Sequence, residues 1–452
     1  MKAGWSHQTI GDICKLINGR AYSKPELLAS GPTPVLRVGN FFTNNNWYYS
    51  DLKLDEDKYC DDGDLLYAWS ASFGPRIWRG GRVIYHYHIW KIIPDERYVD
   101  QLFLYHFLDW DKDRIKAEQG AGTTMIHVTK ASMEARKLAL PPLPEQRRIV
   151  AILDEAFAGL EALRANAEKN LQNARELFDS YLKSVFSNDS TYESKTPATK
   201  RHSKRHAVQS LDIDDPEAAT RTGGRAATTR HIAGDFSLCV GMPKEAARQG
   251  WRWHALTDLA RMESGHTPSR RHPEYWGGDV PWIGIRDAKR FHGAEVNETE
   301  ESTNQLGLAN SSARLLPAGT VCLSRTASVG YVTIMSRPMA TSQDFVNWVC
   351  GNELDPHFLS FLFLTQGEEF FKFSSGAVHQ TIYFPEAKAF HVCIPSLEQQ
   401  RRIAAQAEKL KRAAADLERV YMRKLAAIDE LKQSILQKAF AGELTSATAV
   451  AA

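Results

Sequence analysis

Apolar residues recur in two long stretches of the chain at the spacing of a coiled coil. No proline interrupts residues 146–186, and steps of four and three residues separate the apolar positions Ile149, Leu153, Ala156, Leu160, Leu163 and Ala167. The same steps continue through Asn170, Ala174, Leu177 and Tyr181, and they return at Ile403, Ala407, Leu410, Ala414, Leu417, Tyr421, Lys424, Ile428, Leu431 and Ile435. This spacing averages about 3.5 residues, so it predicts two helices, each about 60 Å long, packed with a left-handed supercoil.

A helix that packs on its own domain is the alternative, but it would usually have a broader apolar face. Asn170 and Lys424 are polar seam residues at the same position of the two stretches (424 − 170 = 254). Such a residue costs stability but can fix the register of the helices. Equally, local splaying of the helices would let both side chains reach water. The sequence allows either sense of pairing; we predict an antiparallel coiled coil, which would give the chain approximate two-fold symmetry.

Ahead of each long helix the pattern changes to short β-branched and aromatic runs separated by Gly, Pro and Asn. We read "PVLRVGNF", "DLLYAW" and "RVIYHYHIWKII" as strands in the first half, and "VPWIGI", "TVCLSR" and "DFVNWVC" as strands in the second. Short helical stretches lie among them. Each region is therefore predicted to be an α+β globule.

The two halves are copies of one unit. "LPEQRRI" (143–149) returns as "LEQQRRI" (397–403), and "GDLLYAWSASFG" (63–74) returns as "GTVCLSRTASVG" (319–330), with offsets of 254 and 256 residues. The landmarks keep their order in both halves, which is the signature of an internal repeat. The expected segments are a first globule (1–142), a long helix (143–187), a flexible polar linker (188–235), a second globule (236–395), a second long helix (396–442) and a tail (443–452).

Composition excludes several classes of protein. The chain has a net charge of +2, 43% apolar residues and no apolar run long enough to span a membrane. Its six cysteines have no metal-ligand spacing, which favours free thiols in a cytoplasmic protein. There is no phosphate-binding P-loop and no Asn/Asp-Pro-Pro-Tyr/Phe tetrad, and His127 and His379 lack ligand companions. We therefore predict no catalytic residue, no metal site and no catalysis by this chain alone.

Two globules, each followed by a long helix that opens on "PLPEQRRI" or "PSLEQQRRI", resemble the specificity (S) subunit of type I restriction–modification systems. "GHTPSRRHPEYWGGDVPWIGIRDA" is similar to the openings of that family's target-recognition domains. The resemblance implies that each globule reads one half of a split target in double-stranded DNA. It also implies that the helices set the gap and dock two methyltransferase (M) subunits in a complex with restriction/translocase (R) subunits. S-adenosylmethionine, ATP and Mg²⁺ would then belong to those partners.

Two domains with one fold and different targets should differ at equivalent exposed loops. Trp69 aligns with Arg325, Ser70 with Thr326, and Thr124 with Gln380, whose amide could read adenine. For each position the alternative is a turn or edge residue without a DNA contact. The candidate DNA contacts are Arg37, Asn40, Trp69, Ser70, Arg76, Thr123, Thr124 and His127 in the first globule, and Arg270, Arg271, Tyr275, Arg286, Arg325, Thr326, His379, Gln380 and Tyr383 in the second.

Two other functions compete with a DNA-recognition subunit. One is a self-contained DNA methyltransferase or nuclease, which the missing motifs argue against. The other is a coiled-coil scaffold whose globules bind proteins. Salt-dependent binding to duplex DNA would separate recognition from the scaffold.

Overall fold

The computed structural model describes residues 4–42, 45–70, 74–119, 128–187, 231–234, 236–375 and 380–445. The chain divides into two units, Met1–Asn170 with Val420–Ala452, and Leu171–Arg419. Each unit contains one globule, part of the first long helix and part of the second.

The first globule is built on mostly antiparallel strands. Its strands are β1 (Ser6–Thr9), β2 (Cys14–Asn18), β3 (Thr33–Leu36), β4 (Tyr48–Ser50), β5 (Tyr59–Cys60), β6 (Leu65–Ala68), β7 (Gly74–Ile77), β8 (Val83–Tyr85), β9 (Ile89–Pro94) and β10 (Lys137–Leu140). Its helices are α1 (Ile10–Ile13), α2 (Val38–Phe42), α3 (Gln101–Gln119) and α4 (Lys130–Glu134), and the long helix α5 (Leu143–Phe186) follows. The sheets have the orders β2-β9-β6-β7, β4-β3-β8-β5 and β1-β10.

The second globule repeats this arrangement. Its strands are β11 (Leu238–Val240), β12 (Arg252–Ala255), β13 (Ala260–Ser264), β14 (Trp276–Ile283), β15 (Glu295–Val296), β16 (Glu301–Thr303), β17 (Val321–Ser324), β18 (Val332–Met335), β19 (Ala340–Thr341), β20 (Phe345–Cys350) and β21 (Phe390–Ile394). Its helices are α6 (Leu256–Leu259), α7 (Ile285–Arg290), α8 (Gln305–Ala309), α9 (Pro356–Gln366) and α10 (Phe384–Lys388), before the long helix α11 (Leu397–Phe440).

The two globules share one topology. The order β13-β20-β17-β18 matches β2-β9-β6-β7, and the parallel pair β14–β19 matches the parallel pair β3–β8. The antiparallel pair β12–β21 likewise matches β1–β10. The predicted α+β fold with two repeated globules is confirmed.

Two strand predictions were wrong in detail. "PVLRVGNF" is a strand only to Leu36, because helix α2 begins at Val38. "RVIYHYHIWKII" is not one strand: β8 ends at Tyr85, and β9 begins at Ile89 on a different sheet. A short apolar or alternating run does not state where a strand stops, because that depends on which neighbour completes its hydrogen bonds.

The repeated motif at the start of each long helix joins that helix to its globule through a buried glutamine. Gln146 is 0% exposed; its Oε1 accepts a hydrogen bond from the Asp100 N–H at 2.8 Å, and its Nε2 donates to the carbonyls of Tyr98 and Pro141 at 2.8 Å each. Three backbone groups of the globule and helix start are thus satisfied by one side chain. The position of the motif at the helix start therefore has a structural reason: the glutamine holds that end of the helix on the globule.

The second unit repeats this arrangement with the equivalent glutamine. Gln400 is 1% exposed and accepts from the Asp355 N–H at 2.9 Å. Its Nε2 donates to the carbonyls of Glu353 at 3.1 Å and Pro395 at 2.9 Å. The same bonds at the same place in both units fix each helix start on its own globule.

In the first unit the start of α5 packs against the end of α11. Ile149, Leu153, Leu436 and Ala439 belong to one buried core. The Phe440 ring, at the end of α11, lies 5.4 Å from the Phe103 ring of α3. The beginning of one helix therefore shares a core with the end of the other.

In the second unit the same two helices meet at their opposite ends. Leu182 and Phe186, near the end of α5, share a core with Ala404 and Ala407, near the start of α11. The Phe186 ring also lies 5.2 Å from the Phe358 ring of α9. Within each unit the start of one helix is paired with the end of the other, so the predicted antiparallel packing is confirmed.

The seam between the helices is open in the part that lies in the first unit. Leu163 and Leu431 are 57% and 49% exposed, and a groove of about 360 Å³ runs between the helices here. Asn170 and Lys424 line this groove and are exposed. Both side chains therefore reach water, while the role of these residues in register stays a prediction.

The predicted linker, 188–235, lies outside the described residues except for 231–234. The residues on either side of it meet, since Ser187 forms a β-bridge with Phe236. The Ser237 N–H also donates to the Phe186 carbonyl at 3.0 Å. The end of α5 is therefore joined directly to the second globule, whatever path the intervening residues take.

Candidate nucleic-acid interface

In the second globule three separate segments meet at the end of strand β17. The Arg325 N–H, just after β17, donates to the Asp344 carbonyl at 2.8 Å, and the Ile382 N–H donates to the Arg325 carbonyl at 2.9 Å. The Thr326 and Thr381 hydroxyls are 3.0 Å apart. Arg325 and Thr326 are thus brought beside the segment that begins at Gln380.

The Arg325 side chain lies over an aromatic ring and has a donor that no described residue pairs with. Its guanidinium lies 4.4 Å from the centre of the Phe384 ring, and its Nε is buried without a hydrogen-bond partner among the described residues. Burial lowers the pKa of Arg325, although the side chain remains a cation. A buried donor without a partner costs free energy, and a DNA acceptor at this position would satisfy it.

The loop that carries Arg325 is held in a defined conformation. The Ser324 hydroxyl accepts from the Tyr331 N–H at 2.8 Å and donates to the Ser328 carbonyl. Ala327, at the tip, has φ +61, a left-handed conformation that is uncommon for a residue other than glycine. The backbone is therefore preorganised at the place where sequence comparison had suggested a reading loop.

Two further arginines line a neighbouring cavity of about 540 Å³. Arg270 Nη2 lies 2.7 Å from Glu301 Oε2, and its guanidinium lies 4.2 Å from the Trp276 ring. The pKa of Glu301 is lowered by this bond. Arg286 is more exposed and lies 3.4 Å from Glu300. A phosphate would have to compete with these carboxylates for both arginines.

The remaining candidates of the second globule differ in accessibility. Arg271 is exposed, and the Tyr275 ring stacks on His272 with 4.8 Å between centres. Gln380 is exposed, and its Oε1 accepts from Ser374. Tyr383 is half-buried at the start of α10. His379 lies outside the described residues.

The first globule builds the equivalent place with different side chains. The Trp69 N–H donates to the His88 carbonyl at 3.0 Å, and the Val128 N–H donates to the Trp69 carbonyl at 3.2 Å. The Trp69 ring stacks on Trp90 at 5.7 Å, and its Nε1 donates to the Tyr87 carbonyl at 2.9 Å. The positions that hold Arg325 and Asp344 in the second globule thus hold tryptophan and histidine here.

The other first-globule candidates lie on or near helix α2. Arg37 is exposed and lies 5.2 Å from the Tyr48 ring, and Arg76 is exposed above the Phe41 ring at 5.6 Å. Asn40 Nδ2 donates to the Asn46 carbonyl at 2.8 Å. Ser70 is only 3% exposed, which makes it the weakest candidate for a base contact; Thr123, Thr124 and His127 lie outside the described residues.

The sequence-based list missed the segment between β8 and β9. The rings of His86 and His88 are 4.8 Å apart, and His88 lies 4.9 Å from Trp69. Burial, followed by the charges of His88 and Arg37, lowers the pKa of His86 to about 4. The signal was present in "YHYH", but reading these residues as the middle of a strand concealed it.

Comparison with known proteins decides the family. The model of the family described as Type I restriction modification DNA specificity domain matches residues 2–172 and 248–424. The chain belongs to this family. It is a specificity subunit of a type I restriction–modification system, a non-catalytic subunit that recognises the DNA target.

Several specificity subunits are similar to this chain. The EcoBI specificity subunit of Escherichia coli is 22% identical over 450 residues, 98% of this chain and 86% of that one. The HindI subunit of Haemophilus influenzae is 24% identical over 388 residues, 78% and 81% of the two chains. The MjaIX subunit of Methanocaldococcus jannaschii is 31% identical over 156 residues, which are 34% of this chain and only 36% of that relative.

Solved structures of such subunits share the fold. The HsdS subunit from Thermoanaerobacter tengcongensis matches 98% of this specificity subunit and 98% of its own chain, with a TM-score of 0.54 and 18% identity. A chain from a study of complex assembly and conformational transition of the type I R-M system matches 98% and 99%, with a TM-score of 0.67 and 18% identity.

Two negative findings complete the description of this specificity subunit. Over the described residues, no helix is both long and apolar enough to cross a membrane. In the same part of the chain, no three His, Cys, Asp or Glu side chains are grouped so as to hold a metal ion. The six cysteines lie among the described residues and form no disulfide there.

Proposed function

We propose that each globule of this specificity subunit reads one half of a split DNA target, and that the two half-sites differ. The observation that carries the proposal is the pair of equivalent backbone bonds, Trp69 to His88 and Arg325 to Asp344. Equal backbone positions with unlike side chains are what two reading heads of one fold need if they recognise different bases.

The chemistry of the two sites supports different readings. Arg325 can offer a bidentate pair of donors to guanine, and Gln380 can pair with adenine. The first globule instead presents Trp69 beside His86 and His88, which supply a flat apolar surface and imidazole nitrogens. Arg270 and Arg286 are suited to phosphates, which position a protein without specifying sequence.

We also propose that methyltransferase subunits, two for the two halves of the target, dock on the long helices. The groove lined by Leu163 and Leu431 is open and mostly apolar, and a contiguous exposed apolar surface is typical of an interaction site. Restriction/translocase subunits would complete the assembly in the cytoplasm. S-adenosylmethionine, ATP and Mg²⁺ would serve those partners.

The recognition part is tested by expressing the full chain with its methyltransferase subunits and sequencing the host chromosome for modified adenines. We expect one motif made of two unlike half-sites with a fixed gap. A palindromic or continuous motif would contradict two unlike heads. Purified protein should also bind duplex DNA with an affinity that falls as salt rises; binding that ignores salt would favour a protein scaffold.

The docking part is tested by co-purification. Leu163→Arg and Leu431→Arg should remove the methyltransferase subunit from the purified complex, because each places a charge in the groove. Met422→Arg is the matched control, since Met422 is 53% exposed on α11 but does not line the groove. Equal loss with the control, or no loss with either groove variant, would refute this site.

A further inference from the structure

In each unit an ion pair joins the two long helices. In the first unit Arg164 of α5 pairs with Asp429 of α11. In the second unit Arg175 of α5 lies 2.7 Å from Glu418 of α11. Both arginines belong to α5 and both carboxylates belong to α11.

The repeat relates these two pairs to each other. Adding the helix offset of 254 to 164 gives 418, and adding it to 175 gives 429. Arg164 and Glu418 are thus the same position in the two copies, and so are Arg175 and Asp429. Two copies of one ancestral helix therefore carry opposite charges at both positions.

This assignment has a consequence for helix pairing. If a second α5 took the place of α11, its Arg175 would lie where Asp429 lies and would face Arg164 of the first α5. Because such a pair is symmetric, the contact between Arg164 and Arg175 would occur twice. If a second α11 took the place of α5, Glu418 would face Asp429, again twice. Only the unlike pair, α5 with α11, has attraction at both positions.

Other seam residues have the same bias. Lys432 of α11 lies 5.1 Å from the ring of Phe157 on α5, and the repeat places Lys411 at the position of Phe157 (157 + 254 = 411). Two α11 helices would therefore bring Lys411 to Lys432. They would also bring Lys424 to Lys424, whereas the unlike pair has Asn170 there.

We propose that α5 and α11 form a heterospecific pair, in which charge favours pairing of unlike helices and disfavours pairing of either helix with its own kind. The partner that α11 fits is a helix of the α5 type, from its own chain or from a second copy. If the proposed function holds, every assembled subunit then presents one globule of each kind, and its target is asymmetric.

The experiment uses two full-length chains with different affinity tags. One carries Arg164→Glu and Arg175→Glu, the other Glu418→Arg and Asp429→Arg. Each reversed chain has only like charges between its own helices. Exchanged between the two chains, every pair becomes attractive again. We therefore expect the two reversed chains to co-purify in equal amounts at low salt, and less so as salt screens the charges.

Two controls use the same positions. Differently tagged wild-type chains should not co-purify, because each chain satisfies its own helices. A chain with all four reversals should elute as a single species and melt at the wild-type temperature, since both pairs are restored with inverted sign. Reversed chains that are insoluble alone but soluble when expressed together also support the proposal.

Several outcomes would overturn it. One is that the reversed chains remain separate and keep wild-type melting temperatures. Another is that wild-type chains co-purify as well as the reversed ones do. A third is that the chain with all four reversals is as defective as the chains with two. The measurement involves neither DNA nor methyltransferase. Failure of the proposed recognition function would therefore leave this result unaffected, and the reverse also holds.

Discussion

Replacing Gln146 with alanine should loosen the first globule far more than its single side chain suggests. The substitution removes the acceptor of the Asp100 N–H and the donor to the carbonyls of Tyr98 and Pro141. Gln146 is 0% exposed, so water does not reach these groups in the folded protein. All three are backbone groups that hold the start of α5 on the globule.

The size of the effect follows from the groups left behind. A buried donor or acceptor that loses its partner costs about 1–3 kcal/mol. Two of the three groups here are carbonyls in segments that connect regular elements, and we take the lower end of that range for each group. The sum is then about 3 kcal/mol, which corresponds to roughly two orders of magnitude in the opening equilibrium.

Hydrogen–deuterium exchange of the full-length protein measures this opening region by region. Peptides from the first globule and the start of α5 should lose protection in Gln146→Ala, and peptides from the second globule should not. Gln400→Ala should show the reverse. Gln146→Met, which keeps the volume, should behave like the alanine variant, while Arg148→Ala, an exposed change in the same turn, should have little effect.

Three results would refute this reasoning. A loss of protection below about fivefold, or about 1 kcal/mol, would mean that water or a shifted backbone replaces the amide. Equal loss in both globules would mean that the glutamine supports the whole chain rather than one helix start. Wild-type behaviour of Gln146→Met would show that packing, not hydrogen bonding, is what matters.

Three further predictions concern recognition, pH and backbone space. Arg325→Ala should weaken binding to one half-site only, measured with duplexes altered in one half, and Arg325→Lys should restore charge but not base preference. Burial and neighbouring cationic groups lower the pKa of His86 to about 4 from its ordinary 6.5, so the unfolded chain takes up this proton first. Stability of the first unit should thus fall as pH drops from about 6.5 towards 4, and His86→Asn should lessen that fall in acid-unfolding curves. Gly265→Ala would place a Cβ 1.9 Å from the Ser342 carbonyl oxygen and should prevent the second globule from folding normally, whereas Gly159→Ala, with open space around it in α5, should raise thermal stability by about 0.5–1 kcal/mol.

The predictions that depend on contacts between residues close in sequence were the most successful. Helices α5 and α11 were predictable because their hydrogen bonds close within four residues and their seam is written in a local period. Helix α5 spans Leu143–Phe186 and helix α11 spans Leu397–Phe440. Gly442, just after α11, has φ +79, a left-handed conformation with which helices commonly end and which glycine adopts readily.

The candidate site was predictable only where the two copies could be compared. That comparison pointed to Trp69 and Arg325, which do occupy equivalent backbone positions. It missed His86 and His88, because the strand that seemed to contain them is two strands on different sheets. It also included Ser70, whose burial at 3% exposure has no sequence signal.

The sequence alone determined the duplication, the two long helices, the α+β class of the globules and the family. These depend on periodicity, spacing and order, which are visible along the linear sequence. Only the tertiary structure decided which segments meet: Trp69 with His88 and Val128, and Arg164 with Asp429 across 265 residues. Such contacts depend on how separate elements pack, and no local pattern encodes the distance between them.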